Sequence, residues 1–206
     1  MLKLNKVVLA SGNPGKIREI SDLFSDLGIE IVAQADLGIE SPEETGETFL
    51  ENALLKARYA AEVSGLPAVA DDSGIVVDAL GGRPGVRSAR YAGEDASDDD
   101  NLDLLLTEMA DVSDDNRGGG FHCAAAIAFP GDNHDPIVAE GVWRGRILRQ
   151  RVGDGGFGYD PIFLDENTSK TGAQMSREEK NAVSHRGKAF AELKRKIREQ
   201  IALENR

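Results

Sequence analysis

Short apolar runs alternate along the chain with apolar residues spaced three and four apart, and the alternation predicts an α/β protein. Val7, Val8, Leu9 and Ala10 form a run that stops at a Gly/Pro cluster, the pattern of a buried strand entering a loop. Ile17, Ile20, Phe24 and Leu27 then fall on one helical face, with Asn13 suited to the N-cap, Pro14 to the first helical position and Gly28 to the stop. Ile29 to Ala33 reads as a second strand, and an acidic, turn-rich loop follows from Asp36 to Thr48. Phe49, Ala53, Leu54, Ala57, Ala60 and Ala61 mark a second helix that ends at Gly65 and Pro67.

Beyond it, the run Ala68 to Ala70 predicts a strand with Asp71 and Asp72 at its C-terminal end. Leu102, Leu105, Leu106 and Met109 stripe a helix capped near Ser97 or Asp98. The segments FHCAAAIAFP and PIVAEGVWRGRIL predict an antiparallel pair joined by the polar turn GDNHD. Ser176 and Glu179 have capping-box spacing, and Phe190, Leu193, Ile197 and Ile201 stripe a closing helix. There is no internal repeat or long linker, so the expectation is a mixed sheet in one continuous domain over residues 1–206.

Composition narrows the function. With 24 Lys and Arg against 36 Asp and Glu the net charge is −12, which disfavours sequence-independent binding to nucleic acid or an anionic membrane. The charge is uneven: from Ser176 onward there are 9 Lys and Arg against 5 Glu, which leaves room for a phosphorylated ligand. A single cysteine, Cys123, excludes an intrachain disulfide and a cysteine-based metal cluster and points to the cytoplasm. No apolar stretch approaches the ~18 residues of a membrane span, and the first residues lack a signal-peptide core.

Four stretches carry candidate chemistry. SGNPGK, Ser11 to Lys16, is a strand-to-helix loop whose backbone N–H groups and helix dipole favour an anion, although its spacing is not that of a Walker A loop. A capped turn explains the same residues. ADDSG carries adjacent carboxylates that need a cationic partner; an extended backbone sends them to opposite sides, and one could instead serve a turn or helix cap with the other solvated. GDGGFGYDP brings Phe157 and Tyr159, either of which could stack on a base or fold into the core. In EEKNAVSHRGKA, Lys180 and Ser184 share a helical face, whereas Lys180 and His185 do not. If Lys180 and His185 meet one ligand, the helix must break near His185. Taken alone, that segment also reads as a charged solvent face. His122 is expected to be structural, His134 solvent-exposed, Trp143 in the core or at a dimer contact, and Asp98 to Asp100 a helix N-terminal acidic run.

In order and spacing, SGNPGK, EETG, ENALLKAR, ADDSG, ALGGRPGVRSARYAG, GGFGYDPIF and EEKNAVSHRGKA resemble the inosine/xanthosine triphosphate pyrophosphatase family over essentially the whole chain. The resemblance implies an elongated, two-lobed α/β fold around a twisted mixed sheet, with the nucleotide in a cleft between the lobes, and a homodimer. It implies Mg²⁺-dependent hydrolysis of ITP, dITP and XTP to the monophosphate and pyrophosphate. It matches Asp72 to the proton acceptor and metal ligand, Glu43 to a second metal ligand, and leaves the role of Asp71 open. Ser11, Gly12, Asn13, Pro14, Gly15, Lys16, Lys56, Ser73, Phe157, Gly158, Tyr159, Asp160, Lys180, His185 and Arg186 match substrate contacts. Arg186 and His185 would donate to the purine O6, and Asp160 is the acceptor that a guanine N2 amino group would meet. Alternatives are a related pyrophosphatase of different base specificity, a silent nucleotide sensor, and an interaction protein. FGYD with SHR favours a purine carrying O6, and intact Glu43 and Asp72 disfavour a sensor.

Overall fold

A computed structural model describes residues 4–24, 28–131 and 134–204. Leu27 of the expected first-helix stripe, and Asp132 and Asn133 of the expected turn, lie outside the described residues. In chain order the elements are β1 (Lys6–Leu9), α1 (Pro14–Phe24), β2 (Glu30–Ala33), α2 (Phe49–Ser64), β3 (Ala68–Val77), α3 (Asp98–Glu108), β4 (Gly118–Ala128) and β5 (Ile137–Ile147). They continue with β6 (Phe163–Asp165), β7 (Lys170–Thr171), α4 (Arg177–Val183) and α5 (His185–Glu204). The sheet order is β2-β1-β3-β4-β5-β6-β7, with β1 parallel to β2 and β3, and β6 antiparallel to β5 and β7. The sheet is mixed and open, as the pattern predicted.

Several boundaries follow from local chemistry. The Asn13 carboxamide oxygen accepts the Gly15 and Lys16 amides at 2.8 and 3.1 Å, which starts α1 at Pro14. Thr48 with Glu51, Ser97 with Asp100 and Ser176 with Glu179 form reciprocal capping boxes on α2, α3 and α4, and Gly65 ends α2 in the left-handed region. Strand β3 corrects an expectation: it runs through both aspartates to Val77 instead of ending before them. Its parallel partner stops earlier, at the Leu9–Val69 pair, so Asp71 and Asp72 follow the end of the β1–β3 ladder within a longer strand.

The described residues fall into two compact units. The first comprises the described residues of Met1–Asp72, Cys123–Gly141 and Arg186–Arg206. Its strands alternate with a period of two. Val7, Leu9, Val69, Cys123, Ala125 and Ile127 share a core with Ile20 and Phe24 of α1 and Phe190, Leu193 and Ile197 of α5. Val8, Ala10, Ala68, Ala70, Ala124, Ala126 and Ala128 share another with Ala53, Ala57, Ala60 and Ala61 of α2, an almost pure alanine contact. The second unit, Ser73–His122 and Val142–His185, is centred on Ile75, Val77, Leu102, Leu105, Phe121, Trp143, Ile147 and Phe163. Trp143 is therefore core. His134 is half-buried, edge-on to Phe129 at 5.3 Å, rather than solvent-exposed. Among the described residues no helix is long and apolar enough to cross a membrane.

Candidate active site

The strand parity of the first unit decides which way the two aspartates point. Asp72 follows Ala68 and Ala70 on the side of α2, and Asp71 follows Val69 on the side of α1 and α5. On the α2 side, positions 52 and 56 are one helical turn apart and present their ends to the same carboxylate. Asn52 donates to Asp72 Oδ2 at 3.2 Å, and the Lys56 ammonium lies 3.2 Å from Asp72 Oδ1 and 2.6 Å from Glu44 Oε1. Asn52 also accepts the Gly46 amide at 2.8 Å, which ties the EETG loop to the same point. Burial pushes the Asp72 carboxyl up against the pull of Lys56 and Lys16. Burial alone would lower the Lys56 ammonium, but attraction to Asp72, Glu44 and Asp71 outweighs it and the net shift is upward.

On the other side Asp71 is fully enclosed. Lys16 Nζ lies 3.1 Å from its Oδ2, Arg186 Nε 3.4 Å from the same oxygen, and Arg186 also pairs with Glu19. Burial opposes ionisation of Asp71, yet the Lys16 and Arg186 charges hold its carboxyl well below the usual carboxylate range. The cationic partner that the adjacent aspartates require is thus two separate sets, Lys56 for Asp72 and Lys16 with Arg186 for Asp71.

Ser11 is buried and its hydroxyl accepts the Asn13 amide at 3.2 Å, while Gly12, Asn13 and Pro14 are exposed at the start of α1. Glu43, expected at the metal, is exposed; its neighbour Glu44 is the carboxylate that reaches Lys56. Among the described residues no three His, Cys, Asp or Glu side chains are grouped so as to hold a metal ion by themselves.

In the second unit Asp160 organises the glycine-rich loop. Its Oδ2 accepts the Phe157 amide at 2.9 Å and the Lys180 ammonium at 2.6 Å, and Lys180 Nζ lies 4.7 Å from the centroid of the Phe157 ring. A Cβ at Gly156, where φ is 73°, would overlap the Asp160 carboxylate. Asp160 is thus engaged inside its own loop. Tyr159 is also buried, its hydroxyl donating to the Ser88 carbonyl at 2.8 Å, whereas Phe157 and Gly158 stay half-buried. The helix breaks at Ser184, which has extended dihedrals, and α5 starts at His185. The His185 ring stacks on Phe121 at 4.8 Å and 13°.

Sequence reasoning missed Glu44, Asn52, Glu19, Ser88 and Asp98. The first two lie inside motifs already singled out, EETG and ENALLKAR, and helical spacing from Lys56 could have found Asn52. Asp98 accepts the Gly158 amide at 2.9 Å, a contact across 60 positions that no local pattern announces.

The chain is thus a mixed α/β protein with two buried carboxylates, each met by a lysine, beyond the β1–β3 ladder. A profile of the Ham1 family matches residues 7–196, and the chain belongs to that family. A dITP/XTP pyrophosphatase from Pectobacterium atrosepticum is 57% identical over 187 residues, 91% of this chain and 95% of that protein. The dITP/XTP pyrophosphatase of Escherichia coli K12 gives the same identity and coverage. Among solved structures, a HAM1 protein from Coxiella burnetii superimposes with a TM-score of 0.86 at 43% identity, covering 94% of this chain and 98% of that one. The Staphylococcus aureus Ham1 protein gives a TM-score of 0.84 at 38% identity, covering 95% and 99%.

Proposed function

We propose that the protein is a Mg²⁺-dependent pyrophosphatase of deaminated purine nucleoside triphosphates, converting ITP, dITP or XTP and water into the monophosphate and pyrophosphate. The observation that carries the reading is the Asp72 carboxylate, buried at the end of the β1–β3 ladder, with Asn52 on one oxygen and Lys56 on the other. Family membership and the named activity of relatives at 57% identity supply the substrate class.

Asp72 accepts the proton of the attacking water, for which a carboxyl shifted up by burial is a better base than an exposed one. Lys16 and Lys56 face the triphosphate and offset the charge that collects on pyrophosphate as the α–β anhydride bond breaks. Ser11, Gly12, Asn13, Pro14 and Gly15 are assigned to the phosphate side of the substrate set at the helix N-terminus, where Pro14 gives shape and no N–H. Arg186 is assigned to the substrate set, anchored by Asp71 and Glu19.

The residues fit a hard divalent cation. Asp72 Oδ1 and Glu44 Oε1 already share one positive charge, the Lys56 ammonium, and both are the oxygen ligands Mg²⁺ prefers. Asp72 with Glu43, and Glu44 beside it, would hold the ion together with phosphate oxygens. When bound, Mg²⁺ supplies charge neutralisation and polarisation of the phosphoryl group.

In the second unit Ser73 and Gly158 belong to the substrate set, and Tyr159 serves it by holding the loop through its hydroxyl on the Ser88 carbonyl. Phe157 offers the stacking face, His185 is a donor toward a purine O6, Lys180 offsets phosphate charge, and Asp160 holds the loop. The enzyme is assigned as a cytoplasmic homodimer that binds neither nucleic acid nor membrane, and sedimentation tests the dimer.

The test is a panel of ITP, dITP, XTP, GTP, ATP and UTP with Mg²⁺, scoring pyrophosphate and orthophosphate separately for wild type and Asp72→Asn. Pyrophosphate released chiefly from ITP, dITP and XTP, dependent on Mg²⁺ and lost in Asp72→Asn, is the expected result. Release of orthophosphate, preference for ATP or UTP, or an unimpaired Asp72→Asn overturns it.

A further inference from the structure

Ser88 is not among the residues assigned to the substrate, yet it joins two of the segments that carry them. It is 5% exposed, in a 3-10 segment Gly85–Arg90 of the second unit. Its hydroxyl accepts the Ile75 amide at 2.9 Å and donates to the Gly85 carbonyl at 2.6 Å. Its own carbonyl accepts the Tyr159 hydroxyl at 2.8 Å. Ile75 lies two residues beyond Ser73, and Tyr159 two beyond Phe157. One buried residue therefore grips the strand that carries Ser73 and the loop that carries Phe157, through two different groups.

The fit around it is close. A Cβ at Gly74 would overlap both the Ser88 hydroxyl and the Gly85 carbonyl, so the strand after Ser73 passes directly against the Ser88 turn. A hydroxyl is suited to this place because it donates and accepts at once and carries no charge into the interior. Alanine would leave the buried Ile75 N–H without this acceptor. Tyr159 is 5% exposed, with its ring in the core that contains Ile75 and Phe163, so its hydroxyl bond is separable from its packing.

We propose that Ser88 is a positioning residue for nucleotide binding, which sets Ser73 through its hydroxyl and the Phe157–Asp160 loop through its carbonyl. This rests on the reading that Ser73 and Phe157 meet the nucleotide. Ser88 touches neither substrate nor the proton acceptor, so its loss acts on KM and spares kcat.

The experiment measures kcat and KM for ITP in Ser88→Ala, Tyr159→Phe and Phe157→Ala, alongside their melting temperatures. Loss of binding shared by ground and transition states raises KM alone, so Ser88→Ala and Tyr159→Phe are each expected to raise KM about five- to tenfold with kcat within about threefold. Combining Tyr159→Phe with Phe157→Ala is expected to add less than its effect in wild type, because these two act through one loop. If Phe157→Ala leaves KM unchanged, the underlying reading of the loop fails. If Phe157→Ala raises KM while Tyr159→Phe and Ser88→Ala keep the wild-type KM, the role of Ser88 is overturned, whatever their melting temperatures. Should Ser88→Ala not fold, Tyr159→Phe decides alone by the same criterion.

Discussion

Lys180 and Asp160 close a buried ion pair, Nζ to Oδ2 at 2.6 Å, and the same carboxylate oxygen accepts the Phe157 amide at 2.9 Å. The side chains are 7% and 3% exposed, so solvent screens this pair little. One carboxylate thus fixes the ammonium and the backbone of the residue whose ring that ammonium overlies. A loop with glycines at 153, 155, 156 and 158 has little rigidity of its own and takes its shape from this contact.

Asp160→Asn leaves the Lys180 ammonium buried without its counter-charge, and removal of one partner of a buried pair costs about 3–5 kcal/mol. The expected outcome is a large fall in the urea midpoint and a raised KM for ITP. Asp160→Asn combined with Lys180→Met is expected to recover part of the stability but not the KM, which separates the fold's use of the pair from its use in binding.

Lys56→Met leaves Asp72 and Glu44 facing each other without their shared ammonium. Removing one preorganised oxyanion-hole donor typically costs an enzyme about 10²–10³ in rate, and loss of this charge is expected to cost as much. Initial rates of pyrophosphate release from ITP should fall accordingly while circular dichroism stays that of wild type.

Gly74→Ala forces a methyl group into the Ser88 hydroxyl and the Gly85 carbonyl. Overpacking of this kind costs about 1–3 kcal/mol. A lowered melting temperature together with weakened ITP binding is expected, and a protein as stable and active as wild type would show that the strand can move away.

Cys123 is buried, and burial, then the nearby Asp71 charge, push its thiol up beyond the ordinary value. The folded protein therefore keeps the neutral thiol where an unfolded chain would already form thiolate. Native protein at pH 8.5 (close to the pKa of a free thiol) should resist iodoacetamide, and protein in denaturant should be alkylated once per chain. Mass spectrometry counts the adducts.

Much of the architecture was legible because it depends on local periodicity. The helix starts at Pro14, Asp98 and Arg177 each follow a cap that serves its own first turn. A break near His185 was expected on the condition that Lys180 and His185 meet one ligand, and the helix does break at Ser184. The end of β3 was misread for a physical reason. Two adjacent carboxylates look like the close of a strand when their cations are unseen, and those cations come from α1, α2 and α5.

The sequence by itself determined the class, the order of elements and the motifs, because caps, turns and apolar spacing act within a few residues. The divergence of Asp71 and Asp72 was legible only on the condition that the chain stays extended there, a condition that β3 meets. Tertiary structure alone decided that Glu44 reaches Lys56, that Asp160 turns inward onto Lys180, and that Ser88 meets both Ile75 and Tyr159. Each of these pairs residues 12 to 71 positions apart. Charge and hydrogen-bonding capacity are written in the side chain, but the partner that satisfies them inside a protein is chosen by packing.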